Sequence, residues 1–290
     1  MQEIHLDANG LRFRCLADGP ENGPPVLLLH GFPEGAESWG PQLPVLAAAG
    51  LRAVAPDLRG YGGTDRPEAE ADYRMPLLLD DVEGLIDALG AERCHLAGHD
   101  WGAIVGWAFA SRRPTRLRSW TALSVGHPHA LAEAARTDDD QRRRSAYIGL
   151  FREAGGKAET VLAEDGYRRL RAIYRFPPNP DAFPADVIEH YVEGFARPGR
   201  LTAALNYYRA SMGRAAYEAF PPAPDPVTVP TLLVWGDEDP ALGRRGTEAT
   251  AAHVTAEYRL EVLSGAGHWL QFERPEDVSR LLWEWITGHP

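Results

Sequence analysis

Short, mainly apolar runs recur along this chain with helix-length patterns between them, and that alternation limits the fold more than any other feature. Runs of this kind stand at 26–29, 53–55, 94–97 and 120–125, and helical patterns cover 76–89 and 101–113. A strand with one face in water alternates apolar and polar residues. A continuous apolar run belongs in a sheet covered on both faces. Strand–helix alternation makes that sheet mostly parallel, with helices on either side. The rhythm returns late, with runs at 231–235 and 260–263 and a helix over 276–286. The start differs: 4–6 and 11–15 alternate about Asn9-Gly10, a two-residue hairpin signal.

Between about 126 and 226 no buried strand is expected. That stretch holds polar and aromatic helical patterns, the charge run Asp138-Asp139-Asp140 with Arg142-Arg143-Arg144, and proline breaks at 177–180 and 221–226. It reads as a helical insertion between two sheet strands, closed by the connector Pro221-Pro222-Ala223-Pro224-Asp225-Pro226. The expected organisation is a core domain of 1–126 and 227–290 with a helical lid of 127–226. The charge run is expected on a solvated face.

Composition narrows the function classes. A chain of 290 residues with 44% hydrophobic content can build a full core. Thirty Lys and Arg against 41 Asp and Glu give a net charge of −11, which repels phosphate backbones and anionic membranes. Neither nucleic acid nor membrane is an expected partner. Two cysteines, Cys15 and Cys94, make no disulfide framework. Glu3 and Asp7 stand where a signal peptide would have a basic start and an apolar run. A cytoplasmic location is expected, and a homodimer is compatible with the sequence.

The chemistry centres on Gly98-His99-Asp100-Trp101-Gly102, between a strand run and the small-residue helix that follows. Strand, sharp turn and helix with flanking glycines define a nucleophile elbow, whose central residue is usually Ser. Here it is Asp100, and that exchange selects the reaction. A serine attacking a saturated carbon would leave an ether that water cannot readily cleave. A carboxylate leaves an ester, which water can hydrolyse at the aspartyl carbonyl. An epoxide or alkyl halide is the substrate such a nucleophile suits. Two further motifs extend the site. His30-Gly31-Phe32-Pro33-Glu34 follows a strand, so the Phe32 amide can join that of Trp101 in an oxyanion hole. His30 is expected to brace the turn. The loop Arg59-Gly60-Tyr61-Gly62-Gly63-Thr64-Asp65 opens no helix and is read as a connection. Late strands end in Gly236-Asp237-Glu238-Asp239-Pro240 and Gly265-Ala266-Gly267-His268-Trp269, which supply an acid and a histidine in the order nucleophile, acid, His. His268 would take a proton from water while Asp239 holds its other nitrogen, with Asp237 as the rival acid.

Taken together these motifs resemble the α/β-hydrolase superfamily, and within it the soluble epoxide hydrolases, over nearly the whole chain. The resemblance implies a nucleophilic Asp, a water-activating His–Asp pair and two lid tyrosines that protonate the opening epoxide oxygen. Tyr147-Ile148-Gly149-Leu150-Phe151-Arg152-Glu153-Ala154-Gly155 is similar to the first tyrosine motif, departing from it at Ile148 and Ala154. Leu205-Asn206-Tyr207-Tyr208-Arg209 resembles the second and points to Tyr208, since Tyr207 lies about 100° away on a helix. Tyr167, Tyr174 and Tyr191 are expected in the lid core. The implied substrate is a small apolar epoxide reacting with water, bound by Phe32, Trp101, Phe151 and Trp269, with no cofactor and no metal. Dehalogenases share the Asp elbow and form the enzymatic alternative, although fluoroacetate dehalogenases usually carry Arg where Trp101 stands. His127-Pro128-His129 offers two metal ligands without a recognisable third. A non-catalytic receptor on this fold would be favoured by loss of Asp100, Asp239 or His268, and all three are present.

Overall fold

The computed structural model describes residues 1–176, 178–212 and 226–290. Asn9 and Gly10, both left-handed at φ +49° and +74°, turn β1 (Gln2–Ala8) back onto β2 (Leu11–Asp18). Six further strands follow: β3 (Pro25–Leu29), β4 (Arg52–Pro56), β5 (Cys94–His99), β6 (Leu117–Leu123), β7 (Thr231–Gly236) and β8 (Tyr258–Leu263). They form one sheet in the order β1-β2-β4-β3-β5-β6-β7-β8. β2 pairs antiparallel with both β1 and β4, and every later pairing is parallel. Strands β3, β4, β5 and β7 are buried along almost their whole length, as their apolar runs require. β8 is half-exposed because it has a neighbour on one side only. β6 starts before the apolar run and stops ahead of Ser124, whose φ of +66° ends the extended backbone.

The helices are α1 (Leu43–Ala48), α2 (Met75–Ala88), α3 (Trp101–Arg112), α4 (Pro128–Thr137), α5 (Asp139–Arg144), α6 (Tyr147–Phe151), α7 (Lys157–Ile173), α8 (Ala185–Ala196), α9 (Arg200–Ser211), α10 (Arg244–Ala249), α11 (Leu270–Glu273) and α12 (Pro275–Gly288). Leu43 and Leu46 of α1 pack with Leu281, Trp285 and Ile286 of α12 on one face of the sheet. α2 and α3 cover the other. Helices α4 to α9 lie between β6 and β7, so the named elements of the insertion are all helices among the described residues. Its buried aromatics, among them Phe151, Tyr174, Tyr191, Phe195 and Tyr207, belong to the same apolar cluster as α2 and α3. α7 is broken by a left-handed turn at Asp165, Gly166 and Tyr167, with φ of +50°, +64° and +67°. The proline connector lies outside the described residues except for Pro226, and so does Pro177.

Strand order reverses between β3 and β5: the chain leaves β3 for β4 on one side and returns to β5 on the other. Connections that diverge from neighbouring strand ends leave a crevice, the usual ligand site of an open α/β sheet. Phe32 and Asp100 both stand at that point, just past the ends of β3 and β5.

Candidate active site

The turn at Asp100 is strained in a way few residues accept. Its φ of +49° and ψ of −116° lie outside the regions an L-residue favours. The reversal is so tight that a β-carbon on Gly98 would lie 2.4 Å from the Gly102 carbonyl oxygen, and one on Gly102 would lie 2.2 Å from the Leu29 carbonyl oxygen, so both flanks must be bare. Gly31 is bare for a related reason: a β-carbon there would sit 2.3 Å from the β-carbon of Asp100. The elbow thus pushes the carboxyl against the β3 loop, where the Phe32 amide donates to Asp100 Oδ1 at 2.7 Å. Trp101 is the first residue of α3, so its amide has no intrahelical acceptor.

Two loops at the ends of β7 and β8 complete the polar floor. His268 Nδ1 meets Asp239 Oδ2 at 2.8 Å, and His268 Nε2 stands 3.7 Å from Asp100 Oδ2, an ion-pair distance too long for a hydrogen bond. The other Asp239 oxygen accepts the amides of Ala241 and Leu242 at 2.7 and 3.0 Å. Asp237 does different work, accepting the Gly265 amide at 2.8 Å and bracing the glycine turn before His268. Burial alone would lower the His268 pKa. Asp239 and Asp100, one on each ring nitrogen, outweigh it and hold the imidazole well above its ordinary value. Burial likewise disfavours the Asp100 anion, but His268, His99 and the Phe32 amide keep its pKa below the ordinary carboxylate value.

Behind these residues lies a second layer that the sequence did not announce. The buried Glu34 carboxylate accepts from the Gly31 amide at 3.0 Å and pairs with His99 Nδ1 at 2.8 Å. His99 Nε2 donates to the His268 carbonyl at 2.9 Å, and Ser124 Oγ donates to the same oxygen at 2.8 Å. His30 acts as a brace: Nε2 accepts the Leu58 amide at 2.9 Å, leaving Nδ1 to donate to the Gly31 carbonyl. The charge run, expected to be solvated, does more. α5 does place most of its charges in water. Its buried Gln141, however, donates to the Ala241 carbonyl and accepts from the Gly243 amide, and Arg144 donates to the carbonyl of Asp239. One side of α5 therefore clamps the loop that carries the acid.

Above the floor is an apolar cavity of about 130 Å³, lined by Phe32, Asp100, Tyr147, Phe151, Ile173, Phe176, Tyr208, Ala241, His268 and Trp269. Tyr147 and Tyr208 approach each other from α6 and α9 with ring centroids 6.5 Å apart. Burial keeps the Tyr208 phenol well above its ordinary pKa, and nearby Asp100 pushes the same way. Phe32, Phe151 and Trp269 are on the wall. Trp101 is not among the lining residues; its indole packs edge-on behind the wall, 5.0 Å from Tyr208 and 5.4 Å from Tyr207. Ile173 and Phe176, at the end of α7, went unforeseen because the break at Asp165–Tyr167 that redirects this helix left only an Asp-Gly pair in the sequence. Tyr174 and Tyr191 are buried and stacked at 5.8 Å. His127 and His129 acquire a distant neighbour, His253, whose ring lies parallel to that of His127 at 4.3 Å. Among the described residues no group of three His, Cys, Asp or Glu side chains is arranged to hold a metal ion. No helix there is long and apolar enough to cross a membrane.

An elbow at the switch point of a mostly parallel sheet, with a helical insertion before β7, is the architecture of one large family. The family model described as alpha/beta hydrolase fold matches residues 24–275, and the chain belongs to that family. Within it the likeness to epoxide hydrolases is close. Epoxide hydrolase A of Mycobacterium tuberculosis (strain ATCC 25618 / H37Rv) is 36% identical over 312 residues, covering 98% of this chain and 96% of that protein. The crystal structure of epoxide hydrolase A from Mycobacterium thermoresistibile superposes with a TM-score of 0.83 at 34% identity, covering 100% of this chain and 99% of that one. A mutant of an epoxide hydrolase from Bacillus megaterium, complexed with its product (R)-3-[1]naphthyloxy-propane-1,2-diol, gives 0.88 at 26% identity, with 98% and 100% covered.

Proposed function

We propose that this protein is an epoxide hydrolase that converts a small apolar epoxide and water into a vicinal diol through an ester on Asp100. The observation that carries the reading is the division of the Asp100 carboxylate. Oδ1 is occupied by the Phe32 amide at 2.7 Å, and Oδ2 lies on the His268 side at the floor of the apolar cavity. Oδ2 attacks an epoxide carbon, a C–O bond forms, and the ring C–O bond breaks. The oxygen that leaves gains a proton from Tyr147 or Tyr208 across the cavity. In this scheme the helical insertion (127–226) is a lid that brings the proton donors to a core (1–126 and 227–290) that brings the nucleophile.

The electrostatics then change. Ester formation removes one of the two negative charges that keep His268 protonated, so the imidazole can return a proton to the phenol through water and become a base. It takes a proton from water, the hydroxyl adds to the aspartyl carbonyl, and the charge develops on Oδ1. The amides of Phe32 and Trp101 stabilise it there. Collapse breaks the ester C–O bond, the departing glycol oxygen takes the proton from the His268 imidazolium, and the diol leaves. Asp100, now with one oxygen from solvent, gives its acid proton back to His268. Two phenols facing the nucleophile suit an epoxide rather than an alkyl halide, because a departing halide needs no proton. The diol held by the Bacillus megaterium relative is the product class expected. A single turnover of styrene oxide in heavy-oxygen water tests the scheme. The first diol should carry its new oxygen from Asp100, and label appearing in that first diol would mean direct attack by water.

A further inference from the structure

α9 carries Arg200, Tyr207 and Ser211, spaced seven and four residues apart. At about 100° per residue these three fall within about 40° of one another, a single narrow face. All three donate to main-chain carbonyls of the core. Arg200 Nη1 reaches Thr64 at 2.6 Å, the Tyr207 hydroxyl reaches Arg59 at 2.9 Å, and Ser211 Oγ reaches Tyr73 at 2.9 Å. The helix comes so close that a β-carbon on Gly60 would lie 2.8 Å from that of Ala203. The acceptor in the middle is itself immobilised. Arg59 grips the buried Asp81 with two contacts, at 2.7 and 2.5 Å, and donates to the Asp72 carbonyl at 2.9 Å. Tyr208 lies one residue beyond Tyr207 and so points about 100° away from this seam, which turns it into the cavity.

We infer that Tyr207 is a positioning residue for Tyr208: its hydroxyl, held by the Arg59 carbonyl, fixes the rotation of α9 and therefore the direction of the phenol that protonates the epoxide oxygen. The inference rests on the proposed role of Tyr208. Aromatic packing around Tyr207 is not enough for this. Tyr61, Tyr73 and Trp101 surround its ring at 5.4 to 5.6 Å, all edge-on or tilted contacts that tolerate sliding. The hydrogen bond defines one position. Proton transfer to a leaving oxygen is sensitive to displacement on that scale, and a misplacement of about 1 Å can cost on the order of a hundredfold.

Tyr207→Phe removes the hydroxyl and keeps the ring. Rapid-quench single turnovers of styrene oxide should show ester formation on Asp100 slowed about tenfold, with hydrolysis of the ester at the wild-type rate. The decisive measurement is a cycle with Tyr208→Phe. If Tyr207 works through Tyr208, adding Tyr207→Phe to a Tyr208→Phe background slows ester formation no further. Equal slowing in both backgrounds, or no slowing in the wild-type background, overturns the inference. Ser211→Ala, at the end of the same face, should reproduce the pattern more weakly and serves if Tyr207→Phe does not fold. A Tyr208→Phe enzyme with wild-type ester formation would refute the assignment of the proton donor and the inference with it. Failure of the wild-type enzyme to form any diol would refute the proposed reaction and, with it, the inference.

Discussion

Asp100, Asp239 and His268 are held by main-chain hydrogen bonds at the ends of strands, whereas Tyr147 and Tyr208 reach the same cavity from helices of the insertion. On the core side, Asp100 takes the Phe32 amide, Asp239 takes two amides, and the His268 carbonyl takes two side-chain donors. On the insertion side, Tyr208 is packed edge-on by Phe32, Trp101 and Phe151. Hydrogen bonds to backbone fix atoms to a few tenths of an ångström, while aromatic edges define a surface with some freedom in its plane. A charge-building step needs the first kind of support. Shape selection and proton delivery can use the second, provided the helix itself is anchored. The contrast predicts that core substitutions stop one chemical step outright and that insertion substitutions grade another.

The largest effects should come from the core. Asp100→Ala should lower turnover by at least about 10⁴-fold while the protein stays folded, since no hydrogen bond of the elbow backbone uses the carboxylate apart from that to Phe32. His268→Gln should also stop turnover, but after one event: intact-mass analysis should find a substrate-sized adduct on Asp100. A variant that neither turns over nor gains mass would show that the core does not divide alkylation from hydrolysis as proposed. Asp239→Asn should hurt far more than Asp237→Asn, because only Asp239 touches His268 and Asp237 holds an amide of the turn.

The insertion should respond by degrees. Tyr147→Phe or Tyr208→Phe should each slow epoxide opening by about ten- to a thousandfold, the range for losing one donor or general acid. The double variant should barely form the ester, yet should hydrolyse an ester already present on Asp100 at the normal rate. Equal slowing of both half-reactions would erase the distinction between the two sides of the cavity. Unaltered diol formation in both single variants would reduce the tyrosines to packing.

What was legible in the sequence follows the same boundary. The sheet strands were readable because burial on both faces demands continuous apolar runs, and Asp100 was readable because only glycines fit beside so tight a turn. The acid could be narrowed to two aspartates, since its position depends on a short loop after β7. Features that depend on partners far along the chain left no local trace. Glu34 meets His99 across 65 residues, and Gln141 meets Ala241 across 100. Trp101 looked like a wall residue because it follows Asp100, but a helix starting there rotates its side chain behind Tyr208. The cavity-facing end of α7 was hidden by a break at Asp165–Tyr167 that no apolar period signals.

The smallest effect concerns the seam where the insertion leaves the sheet. His127 caps α4, its Nδ1 accepting the His129 amide at 3.3 Å, and its ring is stacked on His253. Burial first, then His253 and His129, lower its pKa from 6.5 to about 2. His95 in β5 is lowered to about 4, mainly by burial, with Arg118, His289 and Arg93 adding to it. Unfolded, both residues bind a proton as the pH falls below 6.5; folded, His127 does not until about 2 and His95 until about 4. A depressed histidine pKa therefore contributes no penalty above 6.5, and stability is lost as the pH falls through the window beneath it. Each site costs about 1.4 kcal/mol per pH unit there, or about 2 kcal/mol between pH 6.5 and 5. Glu133 faces the cluster at His253, where it opposes the lowering of that residue's pKa by burial. His127→Asn keeps a capping acceptor and removes the titration. Urea midpoints measured at pH 7 and pH 5 should converge in this variant by an amount equivalent to about 2 kcal/mol, leaving the fall due to His95 in the sheet. An unchanged difference between the two midpoints would mean that the His127 cluster opens before the protein unfolds, and that the seam is less firmly closed than the core beneath it.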